Sequence, residues 1–92
     1  MVLALRDEEV VGFAAASSDG TLEGLYVLPD AADRGVGAAL LDAVAPVSRL
    51  WVLEANASGR SFYERRGLRW SGVRQAAPDA GGVPELLYVR KV

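Results

Sequence analysis

Leu22-Glu23-Gly24-Leu25-Tyr26-Val27-Leu28-Pro29-Asp30-Ala31-Ala32-Asp33-Arg34-Gly35-Val36-Gly37-Ala38-Ala39-Leu40-Leu41 is the stretch around which the rest of the chain is organised. Its apolar, β-prone run Leu25 to Leu28 closes on Pro29-Asp30. A short polar loop leads to Arg34-Gly35-Val36-Gly37, and an alanine- and leucine-rich segment with helical spacing follows. Strand, loop, glycine pair and helix start together make an anion site. The first backbone N–H groups of a helix have no partner inside it, and the aligned peptide dipoles leave partial positive charge there. Glycine on that first turn lets a phosphate approach the backbone with no Cβ in the way. The ligand class this predicts is a pyrophosphate or a similar group.

Upstream, Val2 to Arg6 and Val10 to Ala16 read as strands joined by a turn at Asp7-Glu8-Glu9, with Gly12 marking a bulge or a close approach. Ser17-Ser18-Asp19-Gly20 is a second turn, so Thr21 to Leu28 becomes the third strand of an antiparallel set. Downstream, the helix after Gly35 places Val36, Leu40, Ala43 and Val44 on one stripe, turns Asp42 outward and ends at Pro46. Leu50-Trp51-Val52-Leu53-Glu54 is a nearly all-apolar strand, the pattern of one covered on both faces. It completes a βαβ unit and should run parallel to the third strand. Asn56 or Ser58 caps a second helix, Arg65 and Arg66 suit its negative end, and Gly67 stops it. Strands Leu68 to Arg74 and Glu85 to Lys91 close the chain around a Pro-, Asp- and Gly-rich loop. Trp51 and Trp70 read as core or cleft wall. The fold class is α/β (α+β), a mixed, mostly antiparallel twisted sheet in the order βββ-α-β-α-β-β. Residues 1–92 are read as a single domain with no repeat and no linker.

Composition narrows the chemistry. The 92 residues, 51% hydrophobic and 24% charged, suit one small soluble globular domain. A net charge of −2 argues against general binding to nucleic acid or to a membrane surface. With no cysteine and no histidine, thiolate chemistry and the commonest general base and metal ligand are excluded, so no metal is expected. Acid–base work falls to carboxylates, tyrosine or water. Met1 to Leu5 runs straight into Arg6-Asp7-Glu8-Glu9, which is no leader, and no apolar run reaches the ~20 residues of a membrane span. The expected location is the cytoplasm.

The glycine pair admits three other readings. A dinucleotide-binding turn also has Gly-x-Gly at a helix start and an acid, here Glu54, at the next strand's end. Against it, Leu40 holds the third glycine position and the whole Pro29–Arg34 loop separates the strand from Gly35. A P-loop fails because no Gly-Lys-Ser/Thr follows. A merely flexible helix start would explain a lone Gly-x-Gly, but this one has company.

That company is a resemblance. Val27-Leu28-Pro29-Asp30 with Arg34-Gly35-Val36-Gly37-Ala38-Ala39-Leu40-Leu41 resembles the acyl-CoA-binding motif of the GNAT N-acetyltransferases. Leu50 to Asn56 with Phe62-Tyr63-Glu64-Arg65-Arg66-Gly67-Leu68 is similar to that family's next motif, and Glu85 to Arg90 to its final strand. The resemblance covers Val10 to Val92 and implies the acyl-CoA N-acyltransferase fold, with acetyl-CoA as co-substrate. It implies that two parallel strands splay and that the backbone of Val27 and Leu28 holds the pantetheine arm. The amides of Gly35, Val36, Gly37, Ala38 and Ala39 would cradle the pyrophosphate. Arg34 would add charge beside it, Arg60 would reach the nucleotide end, and Asn56 would touch the cofactor. Tyr63 matches the tyrosine that protonates the departing thiolate, and Glu23 matches a catalytic glutamate of some members. The implied activity is acetyl transfer to a primary amine, of a small molecule or a peptide, by direct attack. The alternative is a non-catalytic acyl-CoA-binding or regulatory module.

Two departures from the family stand out. Ala32 and Asp33 occupy positions where Gln or Arg and Gly are common; one lost charged hydrogen bond should weaken binding by about 1–2 kcal/mol. Members normally carry a strand and two helices before the strand read as Val2 to Arg6. The chain is then a minimal member, a fragment, or one completed by a partner. An uncovered apolar sheet face and edge favour self-association, so a homodimer is expected.

Overall fold

Turn chemistry sets the order of the amino-terminal half. In the computed structural model, which describes residues 1–32, 34–44 and 46–90, β1 (Val2–Arg6), β2 (Glu9–Ala16) and β3 (Thr21–Val27) form an antiparallel meander. Asp7 and Glu8 close the first hairpin at φ 53° and 70°. Positive φ at both central residues is the two-residue turn whose twist matches the strands it joins. In the second turn Gly20 sits at φ 88° and the Asp19 carboxylate accepts from the Thr21 N–H at 3.0 Å. A single helical turn at Pro29–Ala31 leads to α1 (Val36–Val44), β4 (Arg49–Leu53), α2 (Ala57–Glu64), β5 (Leu68–Ala76) and β6 (Pro84–Arg90). This is the expected order of elements. The expectations placed on Asp33, and on Lys91 as the end of the last strand, lie outside the described residues. The chain divides into two compact units, Met1–Val47 and Ser48–Val92.

In the first unit α1 lies across all three strands. Its burial falls on Leu40 and Leu41, flanked by half-buried Gly37 and Val44, a spacing of i, i+3, i+4 and i+7. The stripe expected from Val36, Leu40, Ala43 and Val44 is corrected: Leu41 faces the core and Ala43 is exposed beside Asp42. The helix approaches the sheet closely at Gly12. A Cβ there would stand 2.7 Å from the Tyr26 carbonyl oxygen and 3.1 Å from a Leu40 methyl. Gly12 also adjoins a bulge, since Ala4↔Gly12 is followed by Leu5↔Val10 and leaves Val11 as the extra residue. Both readings of that glycine hold. On β3, Ala15↔Gly24 is followed by Ala16↔Leu22, which makes Glu23 the extra residue of a second bulge. The face opposite α1 carries Leu3, Leu5, Val10 and Tyr26, each more than half exposed.

In the second unit the strand order is β4-β6-β5, antiparallel throughout. Leu50, Val52, Leu86 and Tyr88 alternate onto one buried face. The expectation of a β4 covered on both sides is corrected, because Trp51 is half-buried and Leu53 exposed. Trp70 is no core residue either: it is 48% exposed on the outer strand. There Trp70↔Tyr88 is followed by Arg74↔Leu86, so Ser71, Gly72 and Val73 face Leu87 alone. Gly72 takes φ 96° in this swelling, and the Trp70 indole N–H donates to the Val73 carbonyl at 3.0 Å.

Candidate anion site and proton donor

Gly35, at φ 78°, turns the chain into α1, and its carbonyl accepts the Ala39 N–H at 3.0 Å. Left-handed φ is where glycine is favoured. That bond engages the Ala39 amide inside the helix, so Ala39 does not belong to the cradle expected for it. The N–H groups of Val36, Gly37 and Ala38 donate to no group among the described residues. The first turn of α1 carries no acidic side chain to offset its positive end. Arg34, exposed at the entrance, makes no hydrogen bond to a described residue. Three aligned donors, a positive helix end and a neighbouring guanidinium suit a doubly charged oxyanion.

On β3 the backbone separates the two residues expected to face a pantetheine arm. Leu28 lies just beyond the strand, donates its N–H to the Val11 carbonyl at 2.8 Å, and accepts from the Ala31 N–H at 2.9 Å. Its backbone is committed to the protein. Polar groups of successive strand residues point to opposite edges, so the N–H and C=O of Val27 point away from β2. Val27 keeps the expected orientation and Leu28 does not. Glu23 is exposed at the β3 bulge.

Second-unit residues are tied by polar contacts. Asn56 caps α2: its Oδ1 accepts from the Gly59 N–H at 3.0 Å and from the Ser58 hydroxyl at 3.3 Å. Arg60, expected at a nucleotide, turns inward instead. Its Nε–H donates to the Tyr88 hydroxyl at 3.0 Å and its Nη1–H to the Glu54 carbonyl at 3.1 Å. The Tyr88 hydroxyl donates in turn to Glu64 Oε2 at 2.6 Å. Burial pushes the Tyr88 phenol upward, Arg60 pulls it down, and Glu64 adds to the rise. The sequence reading missed the roles of Tyr88 and Glu64. The signal was the alternation that buries Tyr88 with Leu86, since a buried phenol needs a partner.

Tyr63 is half-buried, edge-on to Phe62 with ring centroids 5.2 Å apart. Its hydroxyl has no hydrogen-bond partner among the described residues. Burial raises its pKa above the ordinary 10.0, so the phenol holds its proton at neutral pH. Such a group can give a proton to a stronger base formed beside it. An open hollow of about 300 Å³ lies at the β5–β6 hairpin, lined by Arg74, Gln75, Ala76, Gly82 and Pro84. Its polar side chains are engaged, Arg74 with Glu54 at 2.8 Å and Gln75 with Glu85 at 2.7 Å. Among the described residues no cluster of three or more side chains could hold a metal ion, and no helix is long and apolar enough to cross a membrane.

Comparison with known proteins gives one family. The sequence matches the model of the acetyltransferase (GNAT) domain over residues 1–68. No curated protein matches it. A solved structure from Desulfovibrio desulfuricans, assigned to the GNAT acetyltransferases, is 27% identical with a TM-score of 0.68, covering 94% of this chain and 64% of that one. Nourseothricin acetyltransferase is 25% identical with a TM-score of 0.71, covering 91% and 59%. A GNAT family acetyltransferase from Elizabethkingia anophelis, solved with acetyl-CoA bound, shares the fold at 14% identity and a TM-score of 0.67, covering 98% and 74%. The chain thus spans less than two thirds of the length of the first two.

Proposed function

The chain belongs to the GNAT acetyltransferase family and has its acyl-CoA N-acyltransferase fold, and from that premise we propose that it transfers an acetyl group from acetyl-CoA to a primary amine. The observation that carries the proposal is the run of N–H groups at Val36, Gly37 and Ala38 that donate to no group among the described residues, entered through left-handed Gly35. These amides, with Arg34, hold the diphosphate of coenzyme A. Val27 offers its backbone to the pantetheine arm. The likeness to a structure holding acetyl-CoA supports the choice of co-substrate.

The amine nitrogen attacks the thioester carbonyl carbon, so no enzyme nucleophile is needed. A C–N bond forms, and the carbonyl oxygen takes the charge, where a backbone N–H near Val27 stabilises it. The C–S bond then breaks and the thiolate takes the Tyr63 proton. The ammonium gives up its proton through water, for which the exposed Glu23 carboxylate is the candidate base. The acceptor is a small-molecule or peptide amine, and the whole of residues 1–92 acts as one catalytic domain in the cytoplasm. The exposed apolar face of the first unit, with β1 at its edge, supports self-association into a homodimer.

Titration calorimetry with acetyl-CoA, followed by thiol release over a panel of amines, tests the reading. Binding with turnover is expected. Binding with no turnover on any amine identifies a non-catalytic acyl-CoA module, and no binding removes both readings. Tyr63→Phe is expected to keep acetyl-CoA affinity and lower turnover about 10²-fold or more, the usual scale of lost acid–base catalysis.

A further inference from the structure

The contacts around α2 assign a positioning role to residues that lie outside the proposed chemistry. No residue of α2 is fully buried, so apolar packing alone does not fix how the helix is rotated about its axis. It is held by three polar ties, two made from its body and one just past its end. Arg60 reaches the Glu54 carbonyl at the end of β4, Arg60 and Glu64 grip the Tyr88 hydroxyl from either side, and the Arg90 guanidinium donates to the Arg66 carbonyl at 3.0 Å. Tyr88 is wholly buried on β6, between Leu50 and Trp70 of the adjoining strands, so its ring is a fixed post. Arg60 and Glu64 are one turn apart on the helix, which puts both on the side that faces that post. Tyr63 adjoins Glu64 and makes no hydrogen bond of its own to a described residue. Its phenol therefore points where the rotation of α2 sends it.

We propose that Tyr88, gripped by Arg60 and Glu64, is a positioning residue that latches the rotation of α2 and so aims the Tyr63 hydroxyl. The inference rests on Tyr63 being the acid of the proposed reaction, but its physical content is the orientation of one ring. Tyr88→Phe removes the hydroxyl and keeps the ring volume. With the latch open, Tyr63 gains access to water, and its pKa moves down towards the ordinary value that burial now raises. Misaiming by about 1 Å costs up to about a hundredfold in rate. Acetyl-CoA affinity stays unchanged, because the diphosphate is held by the first-unit amides.

The test uses ring-labelled tyrosine and NMR titration of the full chain, with the Tyr63 signal assigned by its loss in Tyr63→Phe. Tyr88→Phe is expected to shift the Tyr63 titration downward, and to lower the thiol-release rate roughly ten- to a hundredfold at unchanged Kd for acetyl-CoA. Glu64→Gln and Glu64→Ala form the second pair, both at an exposed helix position that tolerates change. Both remove the charge, but Gln still accepts the Tyr88 O–H. Glu64→Gln should therefore keep turnover near that of the unaltered chain, while Glu64→Ala follows Tyr88→Phe. An unmoved Tyr63 titration in Tyr88→Phe, or Glu64→Gln and Glu64→Ala behaving alike, overturns the latch. If the unaltered chain turns over no amine, the acyl-transfer reading fails, and the titration still decides the latch by itself.

Discussion

The two helices are held in opposite ways. α1 buries Leu40 and Leu41 and leans into the space left by Gly12, while its first three N–H groups find no partner among the described residues. α2 buries no residue fully, yet Asn56 caps its start and Arg60, Glu64, Arg66 and Arg90 tie down its body and end. A helix fixed by apolar contact can leave its polar terminus for a ligand. A helix fixed by hydrogen bonds cannot, but it can set the direction of one side chain closely. On the proposed reading the first arrangement holds the diphosphate and the second aims the proton donor.

Placing a charge on the open terminus should break the contrast most sharply. Gly37→Asp puts a carboxylate on the first turn of α1, where it favours the helix by about 0.3–1 kcal/mol and repels a phosphate by several kcal/mol. Acetyl-CoA affinity is expected to fall by more than a hundredfold in calorimetry. An unchanged affinity would mean that this terminus binds no diphosphate. Next, Gly12→Ala drives a methyl against the Tyr26 carbonyl and Leu40, and should cost about 1–3 kcal/mol in urea denaturation. A cost near zero would show that α1 does not depend on that close approach.

On the second helix, Asn56→Ala removes the cap and should cost about 1 kcal/mol. If acetyl-CoA binding falls as well, by more than the roughly threefold that a slightly loosened helix explains, the side chain touches the ligand too. The smallest effect concerns Glu54, whose carboxyl is held below its ordinary 4.5 chiefly by the hydrogen bond from Arg74. A depressed folded-state pKa adds stability that is complete above the unfolded value and lost as pH falls through the folded one. Arg74→Ala should therefore differ from the unaltered chain at pH 7 and converge with it as pH falls through the lowered folded value. A constant difference across that window would remove the pair from the acid response.

Local signals in the sequence carried the order of elements, both hairpin turns, the Gly35 helix entry and the Asn56 cap. Each depends on residues within a few positions of one another, as with Asp19 and Thr21 or Asn56 and Gly59. Contacts across distance were not legible. The stripe on α1 differs at Ala43 and Leu41 because the side of the helix that meets the sheet depends on distant residues such as Gly12, which admits Leu40, and not on the helix's own spacing alone. Of the two readings of Trp70, core or cleft wall, the core one fails because nothing near it in sequence says that its strand is the outer one of its unit. Leu28 and Ala39 were read as ligand contacts, whereas Val11 and Gly35 accept their N–H groups. The grip on Tyr88 joins residues 24 and 28 positions apart, for which a single sequence offers only the clue of a tyrosine on an apolar face.

The swelling at Ser71-Gly72-Val73 also governs how the molecule behaves in a crowd. β5 is the outer strand of its unit, almost wholly solvent-facing after Leu68, and a straight outer strand is an invitation to polymerise. Three residues set against one interrupt the row of amide and carbonyl groups that an incoming chain would need in unbroken sequence. A shortened variant that straightened this margin would gain regular pairing inside the molecule and lose its protection against fibre growth.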